Sequence, residues 1–285
     1  MYGAVEFGGT KTICAVLDGD GVIQRKQRAP TSSTPEETMR GVREFFTENR
    51  VESLGIATFG PVCVDPDDGL YGTVLRSPKT GWQMYSITEG LKRLDVPIAL
   101  DTDVNCSALG EYHYGKPSGH GTLMYITVGT GIGVGICMDG RPLHGMMHPE
   151  GGHINVTRYP GDDFRGVCPF HEDCCESLAS GPAMARRWGC EAIGIPDDHV
   201  AWKMESWYVA QLVNACMCFL SPETVVLGGG VMDHPGLIDR VRDDVDRLNG
   251  EFFSSGQRDL RAEVRGQSLG GDQALLGCLK LAKSL

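Results

Sequence analysis

Glu6-Phe7-Gly8-Gly9-Thr10-Lys11 and, far downstream, Val128-Gly129-Thr130-Gly131-Ile132-Gly133 decide how this chain is read. Each is a short glycine/threonine turn between two apolar, β-branched runs. Tyr2–Phe7 and Thr12–Asp18 flank the first, and Leu123–Val128 and Ile132–Met138 flank the second. Both predict hairpins. Glycines in such turns let backbone N–H groups point at an anion, and the threonine hydroxyl adds a donor. Neither turn is a Walker A loop or a dinucleotide fingerprint, which need a longer glycine spacing and a following helix. One turn alone reads equally well as a plain hairpin. The recurrence of strand, Gly/Thr turn and strand points to two related lobes.

The rest of the chain is read outward from these turns. Gly19–Gly21 leads into a third strand, Val22–Arg28. A helix begins with Thr34 as N-cap, Pro35 at N1 and Glu37 at N3, and carries Met39, Val42, Phe45 and Phe46 at helical spacing. Leu54–Thr58 and Ile98–Leu100 read as buried strands, and Cys106, Leu109 and Tyr112 as the apolar face of a helix after Asp103. Later come a helix over 200–219, the strand Thr224–Leu227 running into Gly228-Gly229-Gly230, a helix over 236–249, a strand over 260–265 and a terminal helix from Asp272. Such alternation predicts an α/β protein. The expected division is an N-terminal lobe, 1–112, completed by the helix over 272–285, and a C-terminal lobe, 113–271.

Composition narrows the function. Of 285 residues, 41% are hydrophobic and 22% charged, the profile of a globular chain. A net charge of −11 argues against nucleic-acid binding, which needs a basic face. No apolar run reaches the ~18 residues of a membrane span, and the opening MYGAVEFGGTK lacks the pattern of a secretory leader. Eleven cysteines, mostly scattered, point to reduced thiols in a cytoplasm. Cys14, Cys63, Cys106, Cys137, Cys190, Cys216, Cys218 and Cys278 read as small buried hydrophobes. His113, His120, His199 and His234 read as bland, and His144 and His148 as merely near a loop.

Three further groups carry chemistry. Asp101-Thr102-Asp103-Val104-Asn105 follows a buried strand and opens a helix; a carboxylate there suits a general base for a substrate hydroxyl, or simply an N-cap. Within the glycine-, proline- and histidine-rich stretch 139–175, Cys168-Pro-Phe-His171-Glu-Asp-Cys174 with His153 upstream offers four ligands for a tetrahedral zinc. Four protein ligands close the shell, so this zinc is expected to be structural. Cys175 competes with Cys174, and the two-residue spacing on both sides of His171 favours Cys174. Glu150-Gly-Gly-His153 and Glu176 supply carboxylates able to accept paired hydrogen bonds from sugar hydroxyls. Arg76-Ser-Pro-Lys79-Thr-Gly-Trp82 reads either as a pocket wall or as a surface turn.

Taken in order, EFGGTK, Phe59-Gly60-Pro61, DTDVN, TVGTGIG, EGGH, CPFHEDC and LGGGV resemble the ROK family of sugar kinases over essentially the whole chain. CPFHEDC with SPKTGW is most similar to its bacterial zinc-containing fructokinases. The resemblance implies a two-lobed actin/hexokinase-like (ribonuclease H-like) fold with an interlobe cleft. It implies Asp103 as catalytic base and Gly60, Pro61, Thr102, Glu150, His153 and Glu176 against the sugar. Gly9, Thr10, Lys11, Gly129, Thr130, Gly131, Gly228, Gly229 and Gly230 fall on the nucleotide, and His153, Cys168, His171 and Cys174 on zinc. ATP, Mg2+, a hexose and a homodimer come with it. Thr102 stands where ROK glucokinases usually have Asn, which disfavours glucose. Glu6 stands where many ROK kinases have Asp near the metal. Fructose is the expected substrate, with a mannokinase or glucokinase of broad specificity as the alternative. A non-catalytic sugar sensor is the alternative of another class.

Overall fold

In the computed structural model, residues 1–77, 79–116, 121–250, 252 and 264–285 are described. Among the described residues ten strands run in chain order: β1 Tyr2–Phe7, β2 Lys11–Leu17, β3 Ile23–Pro30, β4 Leu54–Thr58, β5 Ile98–Thr102, β6 Thr122–Val128, β7 Ile132–Met138, β8 Arg141–Pro142, β9 Thr224–Gly228 and β10 Val264–Gly266. Eight α-helices accompany them among the described residues: α1 Pro35–Glu48, α2 Ile87–Leu91, α3 Asp103–Tyr114, α4 Cys175–Ala179, α5 Gly181–Trp188, α6 Ala201–Leu220, α7 Leu237–Asn249 and α8 Gln273–Ala282. Of the strand expected over 260–265, residues 260–263 lie outside the described residues, as does His120. No helix among the described residues is long and apolar enough to cross a membrane.

Two five-stranded sheets form, in the orders β3-β2-β1-β4-β5 and β10-β9-β6-β7-β8. In the first, β1 is antiparallel to β2 and parallel to β4, and β4 is parallel to β5. In the second, β9 runs parallel to both β6 and β10. The fold is the two-lobed α/β, actin/hexokinase-like one. Its compact units are Met1–Lys116 with Gly135–Pro149 and Ser268–Leu285, and Pro117–Val134 with Glu150–Gln267. Residues 135–149, placed in the C-terminal lobe by sequence, therefore group with the first unit.

Alternation along β1 explains how the first sheet is covered. Val5 and Phe7 join Met39, Val42, Phe45 and Phe46 of α1 in one core, while Ala4 faces Cys106, Leu275, Cys278 and Leu279 of α3 and α8 in another. Behind the second core α3 and α8 come very close, and glycines stand where their backbones meet. A Cβ on Gly277 would stand 1.8 Å from the Cys106 carbonyl oxygen, and one on Gly110 would stand 1.9 Å from that of Gln273.

At the start of α1, Pro35 occupies the first turn as expected, but the Thr34 side chain makes no capping bond. Ser32 takes over: its hydroxyl accepts the Thr34 N–H at 3.0 Å and donates to Glu37 Oε2 at 2.6 Å. Not every isolated cysteine is core. Cys190 and Cys218 are exposed, and Cys63 and Cys216 are half-buried.

Candidate active site and metal centre

In the first unit, β5 passes directly into α3. Thr102 is the N-cap, its hydroxyl accepting the Asn105 N–H at 3.1 Å. Neither aspartate is the cap. Asp101 is 1% exposed and holds the turn from inside: Oδ1 accepts the Thr102 N–H at 2.7 Å and Asn105 Nδ2 at 2.8 Å, and Oδ2 meets His144 Nε2 at 2.8 Å. That contact raises the His144 pKa above the ordinary imidazole value, against its partial burial. Asn105 Oδ1 accepts the Ile136 N–H at 3.0 Å. Asp103, half-buried, opens α3, where unpaired N–H groups favour an anion, and its Oδ1 accepts the Val104 N–H at 2.9 Å.

Gly60 and Pro61, joined by a cis peptide bond, belong to the same unit. The Pro61 carbonyl accepts the Leu75 N–H at 2.8 Å, and the Val62 N–H donates to His148 Nε2 at 3.2 Å. Trp82 is fully buried against Phe7, Phe59 and Tyr85, with Nε1 donating to the Ser32 carbonyl at 2.9 Å. The tryptophan of the SPKTGW stretch is thus core, while Lys79 Nζ lies 5.2 Å from the Phe59 ring centre. Pro78 lies outside the described residues. His144 and His148, read as bystanders in the sequence, are both engaged. A clue was available in their shared position on a short segment after a strand, but nothing in their spacing named partners.

Both Gly/Thr turns are hairpins. Gly8 N–H closes the first on the Lys11 carbonyl at 2.8 Å, and Gly129 N–H closes the second on that of Gly131 at 2.9 Å. Those two donors are consumed by the turn. Gly9, Thr10 and Thr130 are exposed, with Lys11 and Gly131 half-exposed beside them. Glu6, on β1, has its pKa raised by burial, opposed chiefly by Lys11. In the second unit the hairpin gathers other elements: the Gly181 N–H donates to Gly129 O at 2.7 Å and the Val231 N–H to Val128 O at 3.1 Å. Gly228, Gly229 and Gly230 therefore leave β9 against that hairpin.

His153, Cys168, His171 and Cys174 converge in the second unit, their ligand atoms all within 4.8 Å of one another. His153 Nδ1 is 3.8 Å from Cys168 Sγ and 3.6 Å from Cys174 Sγ, and His171 Nδ1 is 3.7 Å from Cys168 Sγ. Tetrahedral zinc, with bonds of about 2.0–2.3 Å, spaces its ligands by roughly 3.5 Å, so the donor set and its dimensions fit that ion. Cys175 points elsewhere, fully buried with its thiol on the Tyr208 carbonyl at 3.7 Å. Ser177 contributes more than its sequence position implied. Its buried hydroxyl accepts the Val167 and Cys168 N–H groups at 3.0 and 3.1 Å, locking the loop onto α4.

Glu176 lies just past this cluster. Its Oε2 accepts the Ile132 N–H at 2.9 Å, and Oε1 is 3.9 Å from His153 Nε2, the nitrogen turned away from the thiols. Burial, with the Glu176 charge second, pushes the Glu150 carboxyl up to about 7. Gly152 seats this motif: a Cβ there would stand 1.8 Å from the Ile132 carbonyl oxygen.

The ROK family profile matches residues 2–284. The fructokinase of Zymomonas mobilis is 37% identical over 292 residues, covering 99% of this chain and 96% of that protein. Among solved structures, a ROK hexokinase from Thermus thermophilus is similar with a TM-score of 0.79 and 26% identity, over 99% of this chain and 98% of that one. A ROK-family glucokinase from Streptomyces griseus, in complex with glucose and AMPPNP, is similar with a TM-score of 0.77 and 25% identity, over the same shares of 99% and 98%. With the ordered motifs, the two sheets and these full-length matches together, the chain belongs to the ROK family of sugar kinases.

Proposed function

We propose that this chain transfers the γ-phosphoryl group of ATP to the primary hydroxyl of a hexose, with D-fructose as preferred substrate and fructose 6-phosphate and ADP as products. The observation that carries the choice of sugar is the 37% identity to a fructokinase across 99% of the chain, against 25% to the glucokinase. Asp103 is the general base. It takes the hydroxyl proton as the sugar oxygen attacks the γ-phosphorus and the β–γ bridging oxygen leaves with ADP. Thr102, Gly60 and Pro61 are the sugar-contacting residues carried by the first unit, and Glu150, His153 and Glu176 those carried by the second.

Thr10 and Lys11, with the N–H groups of Gly9, Thr130 and Gly131, donate to phosphate oxygens, and Gly129 shapes the second turn. Gly228, Gly229 and Gly230 let backbone approach the adenosine closely. Mg2+ accompanies ATP, and the Glu6 carboxylate beside the first hairpin is the hard oxygen donor such an ion prefers. Zinc, held by His153, Cys168, His171 and Cys174, supplies no reactive position when bound. Bound there, it would fix the loop between Glu150 and α4, ordering Glu150 and Glu176 at its two ends before sugar arrives.

The decisive variant is Asp103→Asn. A positioned general base is worth roughly 10²–10⁴ in rate. Turnover is expected to fall by that much while hexose binding, read by calorimetry, persists; near-native turnover would remove Asp103 from its role. Side-by-side kcat/KM values for fructose, mannose and glucose test the sugar, and a preference for glucose overturns that part.

A further inference from the structure

The segment between β8 and the Glu150 motif, Leu143-His144-Gly145-Met146-Met147-His148-Pro149, is tied to two separate turns of the first unit. Its own backbone is closed by Leu143 N–H on Ile136 O at 2.9 Å and Gly145 N–H on Met147 O at 3.0 Å. From this frame His148, 3% exposed, accepts the Val62 N–H on Nε2 and donates from Nδ1 to the Pro149 carbonyl at 3.4 Å. Those two bonds require the neutral tautomer protonated on Nδ1. Val62 is itself fully buried, so its N–H depends on a protein acceptor. Four residues earlier, His144 Nε2 meets Asp101 Oδ2 at 2.8 Å, on the carboxylate whose other oxygen holds Thr102 and Asn105.

We propose that the two histidines are positioning residues for phosphoryl transfer, His148 setting the Gly60–Pro61 turn for the sugar and His144 setting the strand-to-helix turn that presents Asp103. This rests on the sugar-kinase reading above. Neither ring touches the reacting atoms; each acts through one hydrogen bond to the element it holds. A buried N–H or carboxylate oxygen that loses its partner makes the turn shift or hydrate, and misplacement of such groups is felt strongly in catalysis.

The two rings act on different groups, so they leave different kinetic signatures. His148→Phe keeps the ring's bulk and removes the acceptor. It is expected to raise the hexose KM about tenfold or more, with kcat and the ATP KM within about threefold. His144→Phe removes the donor to Asp101 and is expected to lower kcat about tenfold or more, with the hexose KM within about threefold. His148→Gln offers an amide oxygen to Val62, and His144→Gln offers an amide N–H to Asp101. Each is expected to recover most of its loss, which a merely space-filling role would not allow.

Steady-state kinetics on the purified full chain with magnesium ATP, alongside melting curves, read all four variants. Where a Phe variant does not fold, His148→Asn and His144→Ser take its place and are read in the same constants. The proposal is overturned by native kinetics in the acceptor- or donor-less variants, by one shared signature for both positions, or by Gln variants as impaired as Phe. A wild-type chain that phosphorylates no hexose removes the sugar-kinase reading and this proposal together. An active wild type with unaffected variants removes this proposal alone.

Discussion

Counted outward from their hairpins, the two sheets are the same object: β3-β2-β1-β4-β5 matches β8-β7-β6-β9-β10 strand for strand. What differs is the chain between β3 and β4 in the one and between β8 and β9 in the other. In the first sheet, residues 31–53 hold one amphipathic helix, α1, which seals the sheet with Met39, Val42, Phe45 and Phe46. In the second, residues 143–223 hold the histidine segment, the Cys/His cluster and helices α4, α5 and α6. A helix with an apolar stripe fastens itself. The stretch from Glu150 to Cys174 has few buried apolar side chains, so it must be fastened by ligands and polar contacts instead. Arg158 pairs with Asp173 at 2.5 Å within it, and Ser177 locks it to α4.

The largest effect that would break this contrast is loss of the metal. Elemental analysis is expected to find about one zinc per chain, and a chelator or Cys174→Ser is expected to remove it and destabilise the fold by more than about 3 kcal/mol. Cys175→Ser, one residue on, should keep its zinc, because that thiol faces Tyr208. Zinc lost from the Cys175 variant and kept in the Cys174 variant would reverse the assignment. A zinc-free chain of unchanged melting temperature would end the idea that this loop is fastened by metal.

A smaller effect sharpens the contrast on the side of the sheets themselves. In the first unit Gly277 meets backbone, the Cys106 carbonyl at 1.8 Å from a built Cβ, and backbone cannot step aside. In the second, a Cβ on Gly266 of β10 would meet only the Ile238 Cδ1 methyl, at 3.0 Å, the far end of a flexible side chain. Gly277→Ala is expected to cost about 1–3 kcal/mol by overpacking. Gly266→Ala is expected to stay within about 0.5 kcal/mol. Equal losses in denaturant titrations would show that backbone contact at Gly277 costs no more than the Ile238 methyl at Gly266.

Much of this was legible in the sequence, and the boundary between legible and hidden is physical. The strands around both hairpins and the helix after Asp103 announce themselves through local alternation and helical spacing. The candidate metal ligands do so through residue type and spacing, three on one loop and His153 upstream of it. Contacts between residues distant in sequence leave no such trace. Asp101 with His144, Val62 with His148, and Ser177 with residues 167–168 are each made by folding together segments whose spacing carries no period. Thr34 is the N-cap of α1, yet its side chain makes no capping bond, for a related reason. Thr34 has the right residue type at the right offset, but the loop before it brings the Ser32 hydroxyl to Glu37 first. Nor does the sequence show which turn N–H groups stay available: the hairpins spend those of Gly8 and Gly129 on closing themselves.

The smallest expected effect concerns an ionic contact that holds a site turn in the first unit. His144 lies against Asp101, which favours its charged form, with partial burial opposing and Asp65 adding to the Asp101 effect. Its folded-state pKa is raised, first by the Asp101 hydrogen bond, so the unfolded chain gives up the proton at lower pH than the folded one. The resulting stabilisation is full below the unfolded value of about 6.5 and fades as pH rises through the higher folded value. The ring is 32% exposed, and solvent keeps the contribution below about 1 kcal/mol. Melting curves of the wild type and His144→Phe are therefore expected to differ most at pH 6 and to draw together by about pH 9. Curves that stay parallel across that window would mean the imidazole holds Asp101 without its charge, as a neutral donor.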